Sequence, residues 1–179
     1  MPITASEARA ALAEIDDAEG RGRAAHSYRA TGGVLILWGA IWILGYTAMG
    51  ALPVRDLLWV WTPANLIGAA GTILLLRHGA KTTNSYWLGW VAAMVFLVAL
   101  YLVDPPQTAV QGAALPPLLV AFLYCLLGLG RRGRFAVIGA TLFAATLFGV
   151  FVLPGIFAFW MAATGGAALL IGGLWLRRA

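Results

Sequence analysis

Between Arg134 and Arg177 the chain reads FAVIGATLFAATLFGVFVLPGIFAFWMAATGGAALLIGGLWL, residues 135–176, 42 positions without one charge. An α-helix rises about 1.5 Å per residue and the hydrocarbon core of a bilayer is about 30 Å thick, so roughly 20 residues make one crossing. The stretch holds two crossings, and Leu153-Pro154-Gly155 near its middle supplies the turn between them. A pair of water-soluble helices of this length would carry charges on its outward faces.

The same arithmetic extends toward the N-terminus. Arg29 and Arg55 bracket 25 uncharged residues, Asp56 and Arg77 bracket 20, Lys81 and Asp104 bracket 22, and Asp104 and Arg131 bracket 26. Each stretch holds one crossing. The expected fold is therefore an all-α polytopic membrane bundle of six transmembrane helices, at about 31–51, 57–77, 85–103, 109–129, 135–152 and 156–176. Composition agrees: 61% of the 179 residues are apolar and 11% are charged, against roughly a quarter charged in soluble domains.

Orientation follows from the basic residues. With the N-terminus in the cytoplasm, the inner side holds Arg9, Arg21, Arg23, Arg29, Arg77, Lys81, Arg131, Arg132, Arg134, Arg177 and Arg178, and the outer side holds only Arg55. Both termini are thus expected in the cytoplasm. The short outer connections, with no room for an outer domain, have the cadence of small bacterial multipass proteins, and the expected location is the inner membrane. The net charge of +5 is spread over the loops, so topology accounts for it and nucleic acid is not expected as a partner. Trp59, Trp61 and Tyr101 outside, and Tyr86, Trp87, Trp90 and Trp175 inside, fall at the levels of an interfacial aromatic belt.

Residues 1–29 form a leader, separate from the membrane domain 30–179. Thr4 and Glu7 have capping-box spacing, Ala8, Ala11, Leu12, Ile15 and Ala18 recur at helical spacing, and Gly20 and Gly22 end the pattern. The leader is expected to be a short amphipathic cytoplasmic helix. It carries four basic and five acidic residues, which disfavours attraction to anionic lipid and leaves packing on the bundle or docking of a protein partner.

Within the bundle, small residues four apart allow close helix approach: Ala64, Gly68 and Thr72; Gly89 and Ala93; Ala145 and Gly149; Ala158, Ala162 and Gly166. The last stripe serves either packing within the chain or a homodimer. Pro116-Pro117 inside the fourth span removes two backbone N–H groups, and the kink there needs compensation from neighbours or water. Pro63 is expected to kink a second span that begins near Asp56.

Reactive chemistry is sparse. His26 and His78 lie outside the spans, the single Cys125 rules out an internal disulfide and a Cys-rich metal site, and Asp56 and Asp104 are the only acids beyond the leader. No cofactor, metal site or catalytic constellation is expected. What remains are neutral polar and aromatic residues. Tyr46, Asn65, Gln111, Thr146 and Thr164 are assigned to the outer half of the bundle, and Trp42 and Trp160 to similar or slightly deeper levels. The six candidate pocket residues are Trp42, Tyr46, Asn65, Gln111, Trp160 and Thr164. They either line a pocket or lock the helices through hydrogen bonds. The function expected from these features is that of a non-catalytic sensor, accessory or assembly subunit. The alternative is a small permease or binding protein for a neutral or amphiphilic solute.

Overall fold

The computed structural model describes residues 5–77, 83–129 and 133–178. Among them there is no strand. The chain forms α1 (Ala5–Ala51), a 3₁₀ turn at Val54–Asp56, α2 (Leu57–Arg77), α3 (Thr83–Val103), α4 (Ala109–Gly128) and α5 (Gly133–Val152). A second 3₁₀ turn at Pro154–Ile156 leads into α6 (Phe157–Met161), a π-helical turn at Ala162–Gly166 and α7 (Ala167–Arg177). Among the described residues five segments are long and apolar enough to cross a membrane: Thr31–Ala51, Leu57–Leu76, Ala109–Gly128, Gly133–Val152 and Pro154–Arg177. In α3 the apolar stretch is the shorter Val91–Val103.

The helix ends lie within two residues of those expected from charge spacing, with one exception. The leader does not end at Gly20 and Gly22; α1 runs through both as one helix of 47 residues. An interior glycine costs about 1 kcal/mol relative to alanine, too little to stop a helix flanked by Arg21, Arg23, Ala24 and Ala25 with no proline between Gly20 and Pro53. Thr4 of the expected cap, His78, Lys81, Arg131 and Arg132 lie outside the described residues, as do the side chains of His26, Tyr86, Trp87 and Trp90.

Glycines set the two closest pairings, α1 with α7 and α4 with α5. Gly32 and Gly39 on α1, and Gly166 and Gly173 at the other end of the chain, are each seven apart and so lie on one face of their helix. A Cβ at Gly32 would stand 2.7 Å from the Gly173 carbonyl oxygen, and one at Gly39 would stand 3.0 Å from that of Gly166. The lower number thus pairs with the higher, so the helices run antiparallel with their backbones in contact. Between α4 and α5, a Cβ at Gly139 would stand 2.7 Å from the Ala121 carbonyl oxygen and from the Cys125 amide nitrogen, and one at Gly128 would run into Ala136.

Larger side chains fill the space between these contacts. Leu35, Trp42, Tyr46, Leu142, Phe157, Met161, Leu169 and Leu176 are buried in one core. On the flank, α2 packs against α1: Gly68 accommodates the Trp38 ring and Gly45 the Trp61 ring. The Trp38 indole donates to Thr72 Oγ1 at 3.0 Å, and that hydroxyl donates to the Gly68 carbonyl at 2.7 Å. α3 meets α4. At the other end of the bundle, the Arg134 guanidinium lies 5.0 Å over the Trp175 ring and donates to the Trp175 carbonyl, tying α5 to α7.

Candidate functional site

The site begins with a gap in a helix. In α4 the N–H of residue i should bond the carbonyl of i−4, and Pro116 and Pro117 have no N–H to offer. The carbonyls of Gly112 and Ala113 therefore lose their helical partners. Two tyrosine hydroxyls take the vacated places. Tyr101 of α3 donates to the Gly112 carbonyl, and Tyr46 of α1 donates to the Ala113 carbonyl at 2.7 Å. The diproline is thus a joint of three helices, α1, α3 and α4.

Tyr46 is held in position by rings. Trp42, Trp61 and Phe157 meet it edge-on, with centroids at 5.8, 5.4 and 6.4 Å. Such pairs contribute about 0.5–1.5 kcal/mol beyond burial, so the hydroxyl approaches the carbonyl from a preorganised ring. Compensation of the diproline by neighbours is legible in the sequence. The donors themselves are not, because α1 and α3 reach α4 only in the tertiary fold.

The structure does not bring the six expected site residues together. Trp42 and Tyr46 share the buried aromatic cluster. Trp160 lies against α5, donating to the Ala145 carbonyl at 2.8 Å beside the Phe148 ring and covering Gly149. Thr164 sits in the π-helical turn and donates to the carbonyl of Trp160. Asn65 and Gln111 lie on the outside of the bundle. For Asn65 the reason is helix phase: Ala64, Gly68 and Thr72 turn toward α1, which leaves Asn65 on the adjoining outward face. Its Nδ2 donates to the Trp61 carbonyl of its own helix at 2.7 Å.

Gln111 has a different task. It closes a capping box at the start of α4: its Oε1 accepts from the Thr108 amide at 3.2 Å, and Thr108 Oγ1 accepts from the Gln111 amide at 3.1 Å. Thr108 and Gln111 have the spacing that marks such a box in sequence, the same as Thr4 and Glu7, so this role was readable. Replacing Thr108 with alanine is expected to cost about 1 kcal/mol. Thermal unfolding in bicelles tests it: T108A combined with Gln111→Ala should cost clearly less than the sum of the two single changes, since both remove one box. Full additivity would exclude the shared cap.

The small-residue stripe is committed within the chain at two of its three positions. Ala162 is buried, and Gly166 rests against Ile43 and the Gly39 carbonyl of α1. Ala158 borders a cleft of about 190 Å³ between the ends of α1 and α4 and the 154–159 turn, beside Met49, Val110 and Phe157. A depression of about 370 Å³ at Leu58, Trp59, Thr62, Pro63 and Leu66 is a surface of α2 alone. Pockets for drug-sized ligands run from about 300 to 1,000 Å³ between elements, and neither feature has that form.

Among the described residues, no buried side-chain nitrogen or oxygen lacks a hydrogen-bond partner, and no three His, Cys, Asp or Glu side chains converge in a metal-binding group. The chain matches no protein-family model, and it has no match among curated proteins or solved structures.

Proposed function

We propose that the chain is a six-span protein of a bacterial inner membrane, with both termini cytoplasmic, and that it acts as a non-catalytic accessory or assembly subunit through its helix surfaces. The eleven-to-one bias of basic residues supports the orientation, and the 21-residue length of α3 supports counting it as a span. One observation carries the functional reading. Of the apolar segments, Leu57–Leu76 has Gly68 as its one buried residue and a row of exposed ones at Leu58, Trp59, Thr62, Asn65, Leu66 and Ile67. Among the described residues the core is meanwhile made of aromatic and aliphatic side chains, and no fully buried side-chain nitrogen or oxygen lacks a hydrogen-bond partner. Such a core beside a bare helix fits a protein that works through contacts with other helices.

Native mass spectrometry of the gently extracted protein tests this reading. A defined complex, of copies or with another subunit, and no stoichiometric small molecule is the expected result. A reproducible small-molecule adduct on a single chain would overturn it in favour of a permease or binding protein for a neutral or amphiphilic solute.

A further inference from the structure

α2 carries a polar group where a lipid-facing helix has no use for one. Asn65 lies eight residues into α2, about 12 Å along its axis from Leu57, and so well within a hydrocarbon layer about 30 Å thick. It is exposed, and its single bond is to its own helix. The amide oxygen and one amide N–H have no partner among the described residues. Leaving such groups in hydrocarbon costs several kcal/mol in apolar transfer scales, a cost that a partner helix removes. Thr62 is exposed one turn away, and Leu58, Trp59 and Leu66 flank the two polar residues with uncovered apolar surface.

We infer that this face of α2 is the contact between two copies of the chain, with the two Asn65 amides hydrogen-bonded across it. The chemistry selects a second copy. A carboxamide that keeps one donor and one acceptor is complementary to itself, and a two-fold axis through the contact lets each N–H donate to the other oxygen. Two such bonds satisfy what one chain leaves open. Thr62 and Ala69 are small enough on this face to let the backbones approach.

The proposal deepens the assembly reading and rests on it, and the test separates the two. Full-length protein carrying donor or acceptor dyes on an N-terminal tag is reconstituted into vesicles of phosphatidylethanolamine and phosphatidylglycerol, and energy transfer is followed as lipid is added. The wild type should hold its transfer well above random proximity on dilution. Asn65→Leu removes both bonds of the symmetric pair and should raise the density needed for half-association by roughly 8- to 300-fold, each interhelical hydrogen bond being worth about 3- to 18-fold. Asn65→Gln, which keeps the amide, should recover most of the association. Thr62→Trp, which blocks approach while keeping the Asn65 amide in the chain, should weaken association as N65L does. Random transfer in the wild type at every density overturns the proposal, as does an N65L curve that superimposes on the wild type. A chain monomeric in vesicles yet found with a different subunit by native mass spectrometry loses the self-contact and keeps the assembly role. A chain that associates through Asn65 but carries a stoichiometric solute loses the assembly role and keeps the contact.

Discussion

Substituting leucine for Gly173 should undo the docking of the last span on α1, with a loss of about 3 kcal/mol or more. The nearest atom in the way is main chain. A Cβ at this position would stand 2.6 Å from the Gly32 carbonyl oxygen, closer than a real Cβ approaches, with Ile36 Cγ1 at 2.8 Å and the Ile36 amide at 3.0 Å beside it. A flexible side chain could swing aside, but a helix backbone moves only as a unit. The shift would also open the neighbouring contact of Gly39 with Gly166, so one substitution propagates over two helical turns. Even Gly173→Ala should destabilise by about 1–3 kcal/mol. The control is Gly89 in α3, where a Cβ would meet nothing within 4 Å. There alanine should be neutral or stabilise by up to about 1 kcal/mol, through its better helix propensity. Reversible unfolding in mixed micelles of increasing denaturing detergent would compare them. Equal effects at Gly173 and Gly89 would mean that α1 and α7 are not in backbone contact.

That contrast also shows what the sequence could and could not supply. The gaps between charges placed the helix ends closely, because the cost of a charge in hydrocarbon acts locally and leaves a record along the chain. The glycine pairs at 32 and 39, and at 166 and 173, are visible in the same way, yet nothing local says which helix meets which. With 22 glycines in the chain, equal spacings recur without meaning. Asn65 and Gln111 show a second kind of limit. Depth in the membrane set them beside Trp42 and Tyr46, but depth is one coordinate, and the face of the helix is another. The Ala64, Gly68 and Thr72 stripe already fixed the face of α2, and the Thr108–Gln111 spacing already fixed the duty of Gln111. Both were local signals that a reading by depth alone passed over. The continuity of α1 through Gly20 and Gly22 belongs to the same class, since a cost of about 1 kcal/mol per glycine is a preference and not a stop.

The diproline joint offers a sharper measurement, because the missing donor can be restored. Removing the hydroxyl with Tyr46→Phe keeps the ring and its edge-on neighbours but leaves the Ala113 carbonyl without a partner. Tyr46 is 2% exposed, so water does not replace the bond, and the expected loss is about 1–2 kcal/mol. Pro117→Ala returns an N–H four residues beyond Ala113, the position from which the helix would have bonded it. In that background the carbonyl has a partner with or without Tyr46, so Y46F should lose most of its effect. The double-mutant cycle should therefore show a coupling of about 1 kcal/mol between Tyr46 and Pro117. Repeating the cycle with Tyr101→Phe and Pro116→Ala should give a coupling of the same sign. It should be smaller, because Tyr101 is only half-buried and water can serve the Gly112 carbonyl in its place. If Y46F costs the same whether residue 117 is proline or alanine, the hydroxyl is not standing in for the lost N–H. The contribution of Tyr46 would then rest on its ring contacts with Trp42, Trp61 and Phe157, leaving the Tyr101–Gly112 bond as the hydroxyl link at the diproline.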